Sequence, residues 1–142
     1  PRTEVLIVTT PPRAAAAVAA RVADMARKGW LRVAGVIENM SGFTCEHGTT
    51  YHLFGSGGGQ ALAQEIGVPL VGSVPFEPAM AEGGDLGQPA SLRGEGPVAA
   101  AFGALADRLV ADVVPPVEMS GCTARLLDRV AAAVDEPVGD GT

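Results

Sequence analysis

The sequence predicts an α/β fold with three layers, in which helices flank both faces of a mostly parallel β-sheet. Two segments, 4–10 (EVLIVTT) and 32–39 (RVAGVIEN), are dominated by β-branched and aliphatic residues. Such runs are typical of strands that are buried on both faces of a parallel sheet. The segment 14–28 between them is rich in alanine and is followed by Gly29, which is typical of a helix and its C-cap. Together the three segments predict a right-handed βαβ unit.

The composition fits this fold and argues against two classes of partner. Of the 142 residues, 47% are hydrophobic and 4% aromatic, so valine-rich strands and alanine-rich helices must supply the core. A net charge of -6 without a cluster of basic residues predicts that nucleic acid is not a partner. The longest alanine-rich run, residues 14–20, is much shorter than the ~20 apolar residues that cross a bilayer, which predicts no membrane span.

Cysteine usage predicts a reducing, cytoplasmic location. The two cysteines, Cys45 and Cys122, lie far apart and do not form the disulfide framework that small secreted domains carry. Cys122 falls within a helical pattern and is expected to be a small core residue.

A further helix and strand follow the βαβ unit. The pattern predicts a helix over residues 57–66, with Ser56 as its N-cap and Gly67 as its C-cap. A third buried strand is predicted over Leu70–Val74. Three strands leave the edges of a parallel sheet uncovered, so we expect the sheet to continue in sequence upstream of Pro1.

The remaining sequence predicts a loop and then helices. Residues 75–88 are rich in proline, glycine and acidic residues, which predicts an ordered loop with one helical turn near 78–81. Residues 97–113 predict an amphipathic helix. Its apolar stripe comprises Phe102, Leu105, Leu109 and Val110. We divide the chain after it into an α/β part, residues 1–114, and a helical extension with a flexible tail, residues 115–142. A last helix is expected over 120–134.

The loops at one edge of the sheet hold the candidate binding residues. In an open α/β sheet, ligands bind where the carboxyl ends of the parallel strands meet, which here means the loops after Thr10, Asn39 and Val74. The amide of Asn39 either hydrogen-bonds a purine or satisfies the local backbone in a turn. Its position alone favours the turn. Trp30 and Phe43 are expected to be packing residues.

The glycine cluster at 55–59 has two interpretations. Glycine-rich loops before a helix cradle phosphates, because bare backbone N–H groups approach the anion. This cluster lacks the Lys-Ser/Thr pair that completes a P-loop, and it follows a long loop and not a strand. A tight turn with a helix cap is therefore the favoured interpretation.

Cys45, His47 and His52 are candidate metal ligands within one short segment. Thiolate and imidazole groups bind zinc, iron or an iron–sulfur cluster. A closed tetrahedral site takes four ligands and this segment offers three. Spacing alone therefore favours a solvated loop with a buried or reactive thiol.

Two longer segments form a recognisable series of motifs. They read GVIENMSGFTCEHG from Gly35 and FGSGGGQALAQEIGVPLVGSVPFEPAMAEGGDLGQP from Phe54. From about Val5 to Pro89, the sequence resembles the C-terminal half of the Mrp/ApbC-type iron–sulfur cluster carrier ATPases, relatives of the MinD/ParA P-loop proteins. The resemblance implies the C-terminal part of a P-loop NTPase fold, without the N-terminal half that carries the P-loop.

The resemblance also implies a function. Proteins of this family are nucleotide-driven homodimers that carry an iron–sulfur cluster and hand it to recipient apoproteins. They bind ATP with Mg²⁺ mainly through a P-loop and switch regions that have no counterpart in this sequence. The positions that carry over are base-binding ones, Asn39 and, after the third strand, Pro75, Phe76 and Glu77. Without a phosphate cradle, this chain alone is not expected to hydrolyse ATP.

The cluster loop departs from the family's pattern. That loop commonly reads C-P-H-C, so that a two-fold dimer offers four thiolates to one bridging cluster. Here it reads Cys45-Glu46-His47-Gly48. The resemblance then implies Cys45 as a ligand, and a stable cluster would need His47, His52 or an outside ligand from each subunit, or would not form. The pair of histidines motivates the hypothesis of a labile [2Fe–2S]-like site of cysteine and histidine. The alternative function is a degenerate α/β interaction module that binds neither metal nor nucleotide.

Overall fold

The computed structural model describes residues 3–113 and places a parallel sheet between two layers of helices. In chain order the elements are β1 (Glu4–Thr9), α1 (Arg13–Lys28), β2 (Arg32–Asn39), β3 (Phe43–Thr44), β4 (Thr50–Tyr51), α2 (Gly58–Ile66), β5 (Leu70–Val74), α3 (Ala79–Asp85), α4 (Ala90–Arg93) and α5 (Gly96–Arg108). A π-helical turn, Leu109–Val113, follows α5. The predicted extension 115–142, its helix 120–134 and Cys122 lie outside the described residues.

The three predicted strands form one sheet with the order β1-β2-β5. Both pairs of neighbours run parallel, which confirms the predicted sheet. The ladder pairs Thr9 with Glu38 and Asn39 with Val74, so the three strands end at the same edge. The loops that carry the candidate residues therefore start side by side, as expected for an open α/β sheet.

Two hydrophobic cores, one on each face of the sheet, confirm the three layers. On one face, Ile7 and Val36 pack with α1 and α2. The buried residues of α1 on this face are Ala19, Ala23 and Ala26, so the helix lies close to the strands despite the shortage of large side chains. On the other face, Val71 packs with residues of α4 and α5. Each fully buried valine or leucine side chain stabilises the fold by about 1.5–3 kcal/mol.

The buried stripe of the last described helix differs from the prediction. Of the four predicted stripe residues, Leu105 is buried, whereas Phe102 and Val110 are exposed by 39% and 57%. The buried residues are Val98, Leu105 and Val113. Leu109 is partly buried against this core, as predicted. For Val110 the reason is the π-helical turn after α5, since its wider turn shifts the phase of the residues within it and brings Val113 to the sheet in place of Val110. At Gly72 of β5, an added Cβ atom would lie 2.7 Å from Leu105, so the helix crosses the strand where it has no side chain.

Several local elements also differ from the sequence prediction. Ser56 does not cap α2, whose N-cap is Gly57 in the left-handed conformation, with a φ of 79°. The loop after β5 contains α3, which is longer than the single predicted turn, and α4, which was not predicted. The short antiparallel pair β3 and β4 was not predicted either. Gly67 is the C-cap of α2, as predicted.

Trp30 is not a packing residue. Its side chain is 96% exposed, and its backbone has a φ of 59° in the turn between α1 and β2. The prediction assumed that an aromatic residue beside a buried strand packs against the core. The turn instead directs this residue outward, while Leu31 donates its N–H to the carbonyl of Ala26 at 2.9 Å.

Among residues 3–113, no helix has both the length and the apolar character that crossing a membrane requires. The longest helix, α1, has 16 residues and ends with Arg27 and Lys28.

The glycine cluster before α2 brings backbone segments into close contact. A Cβ atom at Gly58 would lie 2.1 Å from the carbonyl oxygen of Pro11, and one at Gly59 would lie 2.6 Å from the Cβ atom of Glu38. The N–H of Gly59 donates to the buried carboxylate of Glu38 at 2.6 Å. This geometry favours the tight-turn interpretation, because the start of α2 packs directly on the ends of β1 and β2.

We therefore expect Gly59→Ala to lower the free energy of unfolding by about 1–3 kcal/mol, through steric overlap with Glu38. Gly103→Ala is the matched control, because the added Cβ atom in α5 meets no neighbouring atom within 4 Å. Alanine is the better helix former, so this control should stabilise the protein by up to about 1 kcal/mol. Urea denaturation of the two variants and the parent measures both changes. Equal stability of the two variants would contradict the proposed packing.

Candidate functional site

A cavity of about 280 Å³ opens at the edge where the parallel strands end. Its lining comprises Asn39, Met40, Phe76, Glu77, Pro78 and Met80. Three of the four predicted base-binding residues thus line one cavity, while Pro75 is not part of the lining. Asn39 also lines two neighbouring cavities, of about 460 and 290 Å³, whose other side chains are almost all aliphatic. The smallest of the three therefore has the aromatic and charged groups that orient a polar ring.

Asn39 is held in place by a bond to its own backbone neighbour. The N–H of Met40 donates to Oδ1 of Asn39 at 2.9 Å, and Met40 has a φ of 57°. A left-handed conformation is uncommon for methionine, so the bond stabilises a costly turn. The turn interpretation and the binding interpretation are compatible here, because the bond engages Oδ1 and leaves the N–H groups of Nδ2 for a ligand.

Phe76 joins the cavity to the loop between β2 and α2. Its backbone N–H donates to the carbonyl of Gly42 at 2.8 Å. Its ring contacts Phe43 and Phe54 edge to face, with centroid distances of 6.2 and 6.3 Å. Phe43 is thus a packing residue, as predicted, although it packs at the rim of the cavity.

Cys45 lies at the end of the hairpin that β3 and β4 form. Its N–H donates to the carbonyl of Thr49 at 3.0 Å, and its carbonyl accepts from the N–H of Gly48 at 2.9 Å. The thiol is partly exposed. The backbone N–H of His47, and next that of Thr49, lower the pKa of the Cys45 thiol because they stabilise the thiolate.

The two histidines have different surroundings. Nδ1 of His47 lies 3.7 Å from the carboxylate of Glu46, and both side chains are exposed. Nδ1 of His52 lies 2.9 Å from the carbonyl oxygen of Ser41, a contact in which Nδ1 carries the proton and Nε2 keeps its lone pair. Within residues 3–113, no three side chains of His, Cys, Asp and Glu come together as a metal site. A single chain therefore does not assemble the three predicted ligands.

Glu38 is a buried residue beside the candidate site that the sequence analysis did not single out. Its carboxylate lies at the N-terminal end of α2, where a helix attracts anions, and accepts the N–H of Gly59. The end of α2 thus already holds an anion, which disfavours the phosphate-cradle interpretation of the glycine cluster. The sequence does contain a signal for Glu38, since it is a lone carboxylate in an otherwise apolar strand. A carboxylate is buried in such a strand only when it has a hydrogen-bond or charge partner.

Comparison with known proteins identifies relatives. The family model described as NUBPL iron-transfer P-loop NTPase, of the ParA type, matches residues 1–110. The iron-sulfur cluster carrier protein of Mycobacterium tuberculosis is 45% identical over 98 residues, which are 65% of this chain and 26% of that protein. The human cytosolic Fe-S cluster assembly factor NUBP2 is 50% identical over 76 residues, which are 53% of this chain and 28% of that protein.

A solved structure shares the fold. The cell division ATPase MinD of Pyrococcus furiosus superposes with a TM-score of 0.58 at 27% sequence identity, over 75% of this chain and 41% of that one. The chain spans about a quarter of the length of the two carrier and assembly relatives.

The environment of Cys45 predicts an acidic, reactive thiol. Alkylation by iodoacetamide requires the thiolate, so a lowered pKa moves the half-maximal rate to lower pH. We expect the rate of Cys45 alkylation in a Cys122→Ser variant to reach half its maximum at a lower pH in the folded protein than in urea. The unfolded chain is the control because it lacks the hairpin. Coincident pH profiles would show that the N–H groups do not stabilise the thiolate.

Proposed function

The chain belongs to the ParA-type NUBPL iron-transfer P-loop NTPase family, and from this premise we propose that it supplies adenine recognition and the cysteine loop of an ATP-dependent iron–sulfur cluster carrier. One observation carries the proposal. Asn39, Phe76 and Glu77 line a single cavity at the strand ends, and Phe76 also contacts the aromatic residue two positions before Cys45.

The cavity suits a base and not a whole nucleotide. Its volume of about 280 Å³ falls at the lower limit of the ~300–1,000 Å³ typical of small-molecule pockets. Met40 and Phe76 supply apolar walls for a flat ring. Nδ2 of Asn39 would donate to a ring nitrogen of adenine, and the carboxylate of Glu77 would accept from the exocyclic amine.

The phosphates and Mg²⁺ would be held outside this cavity. The sequence contains no Lys-Ser/Thr pair after a glycine loop, and Glu38 already occupies the N-terminal end of α2. In this proposal the phosphate-binding and catalytic groups come from another part of the carrier, and residues 39 and 75–77 contribute only to recognition of the base.

The cluster would be the cargo of the Cys45 hairpin. A symmetric homodimer brings two copies of Cys45 to its axis, and the remaining ligands would be His47, His52 through Nε2, or thiols from outside. The lowered pKa of Cys45 supports this role, because only the thiolate binds iron. Two protein thiolates hold a cluster less firmly than four, which suits transfer to recipient apoproteins in the cytoplasm.

A second candidate function is an interaction module without metal or nucleotide. The observation that favours it is the absence of any three-ligand cluster within residues 3–113. Base binding and cluster binding distinguish the two functions, because the module shows neither.

We expect adenosine to bind the chain weakly, with a Kd on the order of 1 mM, since only the base is recognised. Asn39→Ala should raise the Kd about 5- to 10-fold, because it removes one hydrogen bond to the ring. Leu86→Ala is a matched control, since Leu86 is exposed and lies outside the cavity. Titration followed by protein NMR measures the Kd and locates the shifted residues. Binding that Asn39→Ala leaves unchanged would contradict the base pocket.

We expect reconstitution with iron and sulfide under anaerobic conditions to give a protein with visible absorbance from a bound cluster. Cys45→Ala should abolish this absorbance, because it removes the thiolate ligand. Cys122→Ser is the control and should retain it. An unchanged spectrum in Cys45→Ala, or no chromophore in the parent, would exclude Cys45 as the cluster ligand.

A further inference from the structure

Phe76 lines the cavity proposed to bind the base. Its ring also contacts Phe43, at the start of the Cys45 hairpin, and Phe54, which follows the hairpin. We propose that Phe76 is a positioning residue that couples occupancy of the cavity to the conformation of the Cys45 hairpin. The inference rests on the proposed function, because it requires that a base enters this cavity.

The rings form the first link. Phe43 begins β3, which leads directly to Cys45, and Phe54 follows β4 shortly after Tyr51. The ring of Phe76 contacts both, at 6.2 and 6.3 Å between centroids. A ligand that displaces or fixes the ring of Phe76 therefore acts on both sides of the hairpin at its base.

The backbone forms a second link in the same direction. Ser41 donates its N–H to the carbonyl of Val74 at 3.1 Å, and Phe76 donates to Gly42 at 2.8 Å. On its other side Gly42 has little room, since an added Cβ atom would lie 3.2 Å from Thr50 and 3.5 Å from Nδ1 of His52. The segment before β3, residues 41–42, thus lies between the cavity wall and the hairpin. Because it is closely packed on both sides, a shift of the cavity wall is transmitted to the hairpin.

The thiol of Cys45 reports such a shift. The side chain of Cys45 is partly exposed, and its backbone bonds to Thr49 and Gly48 in the turn of the same hairpin. Phe54 is 42% exposed, which leaves this ring a route toward solvent when Phe76 moves. A change in hairpin conformation therefore alters the exposure of the sulfur to a reagent, and with it the rate of thiol reactions.

The test measures the reaction of Cys45 with a disulfide reagent at fixed pH, in the full chain with Cys122→Ser, with and without saturating adenosine. We expect adenosine to change this rate about fivefold, within the usual range of coupling between two sites. Phe43→Leu and Phe54→Leu should each bring the ratio of the Cys45 reaction rates with and without adenosine close to one. The Kd for adenosine should stay unchanged in both variants. Leu53→Ala, in the same loop but outside the ring contacts, should retain the full ratio.

The outcomes separate the coupling from the proposed function. If adenosine does not bind, the base pocket itself is wrong and the coupling falls with it. If adenosine binds and the rate of the parent is unchanged, the coupling is wrong and the base pocket stands. If both ring variants fold, as judged by circular dichroism, and keep the full ratio, Phe76 does not act through the rings. One folded ring variant is sufficient for the test.

Discussion

The buried hydrogen bond between Gly59 and the carboxylate of Glu38 is the contact on which the arrangement of the site depends. Glu38 immediately precedes Asn39, so the bond joins the strand that carries the amide proposed to bind the base to the far end of the cysteine-bearing loop. Burial of a carboxylate is costly, and the partial positive charge at the start of α2 offsets part of that cost. The close contact of Gly58 with Pro11 adds the end of β1 to the same junction.

The distribution of aromatic residues follows from this junction. The core is built from valine, leucine, isoleucine and alanine, and three of the four phenylalanines lie instead at the rim, where Phe43, Phe54 and Phe76 pack together. Alanines on α1 let the helix approach the sheet closely, so that the strand ends meet without large side chains between them. The rim then has space for a cavity with one aromatic wall. Small aliphatic side chains thus hold the sheet and its helices together, and the aromatic contacts are concentrated near Cys45.

How far the sequence predicts this structure depends on the range of the interactions. The strands and α1 follow from apolar runs and composition, which are local signals of burial. Val110 was wrongly placed on the buried stripe because a π-helical turn changes the period that the pattern assumes, and β3 and β4 are too short to show any period. Glu38 was missed since its partner lies 21 residues away in sequence. Asn39 and Cys45 were identified as site residues through a resemblance, while spacing alone favoured other roles for both.

Gly48 stands where the loop pattern that this sequence resembles has a second cysteine, and the turn around Gly48 favours the thiolate of Cys45. Gly48 has a φ of 80°, a conformation that a cysteine side chain would make costly. Glycine at this position allows the tight turn in which the backbone of residues 47 and 49 donates to the sulfur of Cys45. The turn thus stabilises the one thiol of this loop in its charged form. In the proposed carrier, a single thiolate from this loop would make the cargo site dependent on a second subunit, so that cluster binding and dimerisation would form a single equilibrium.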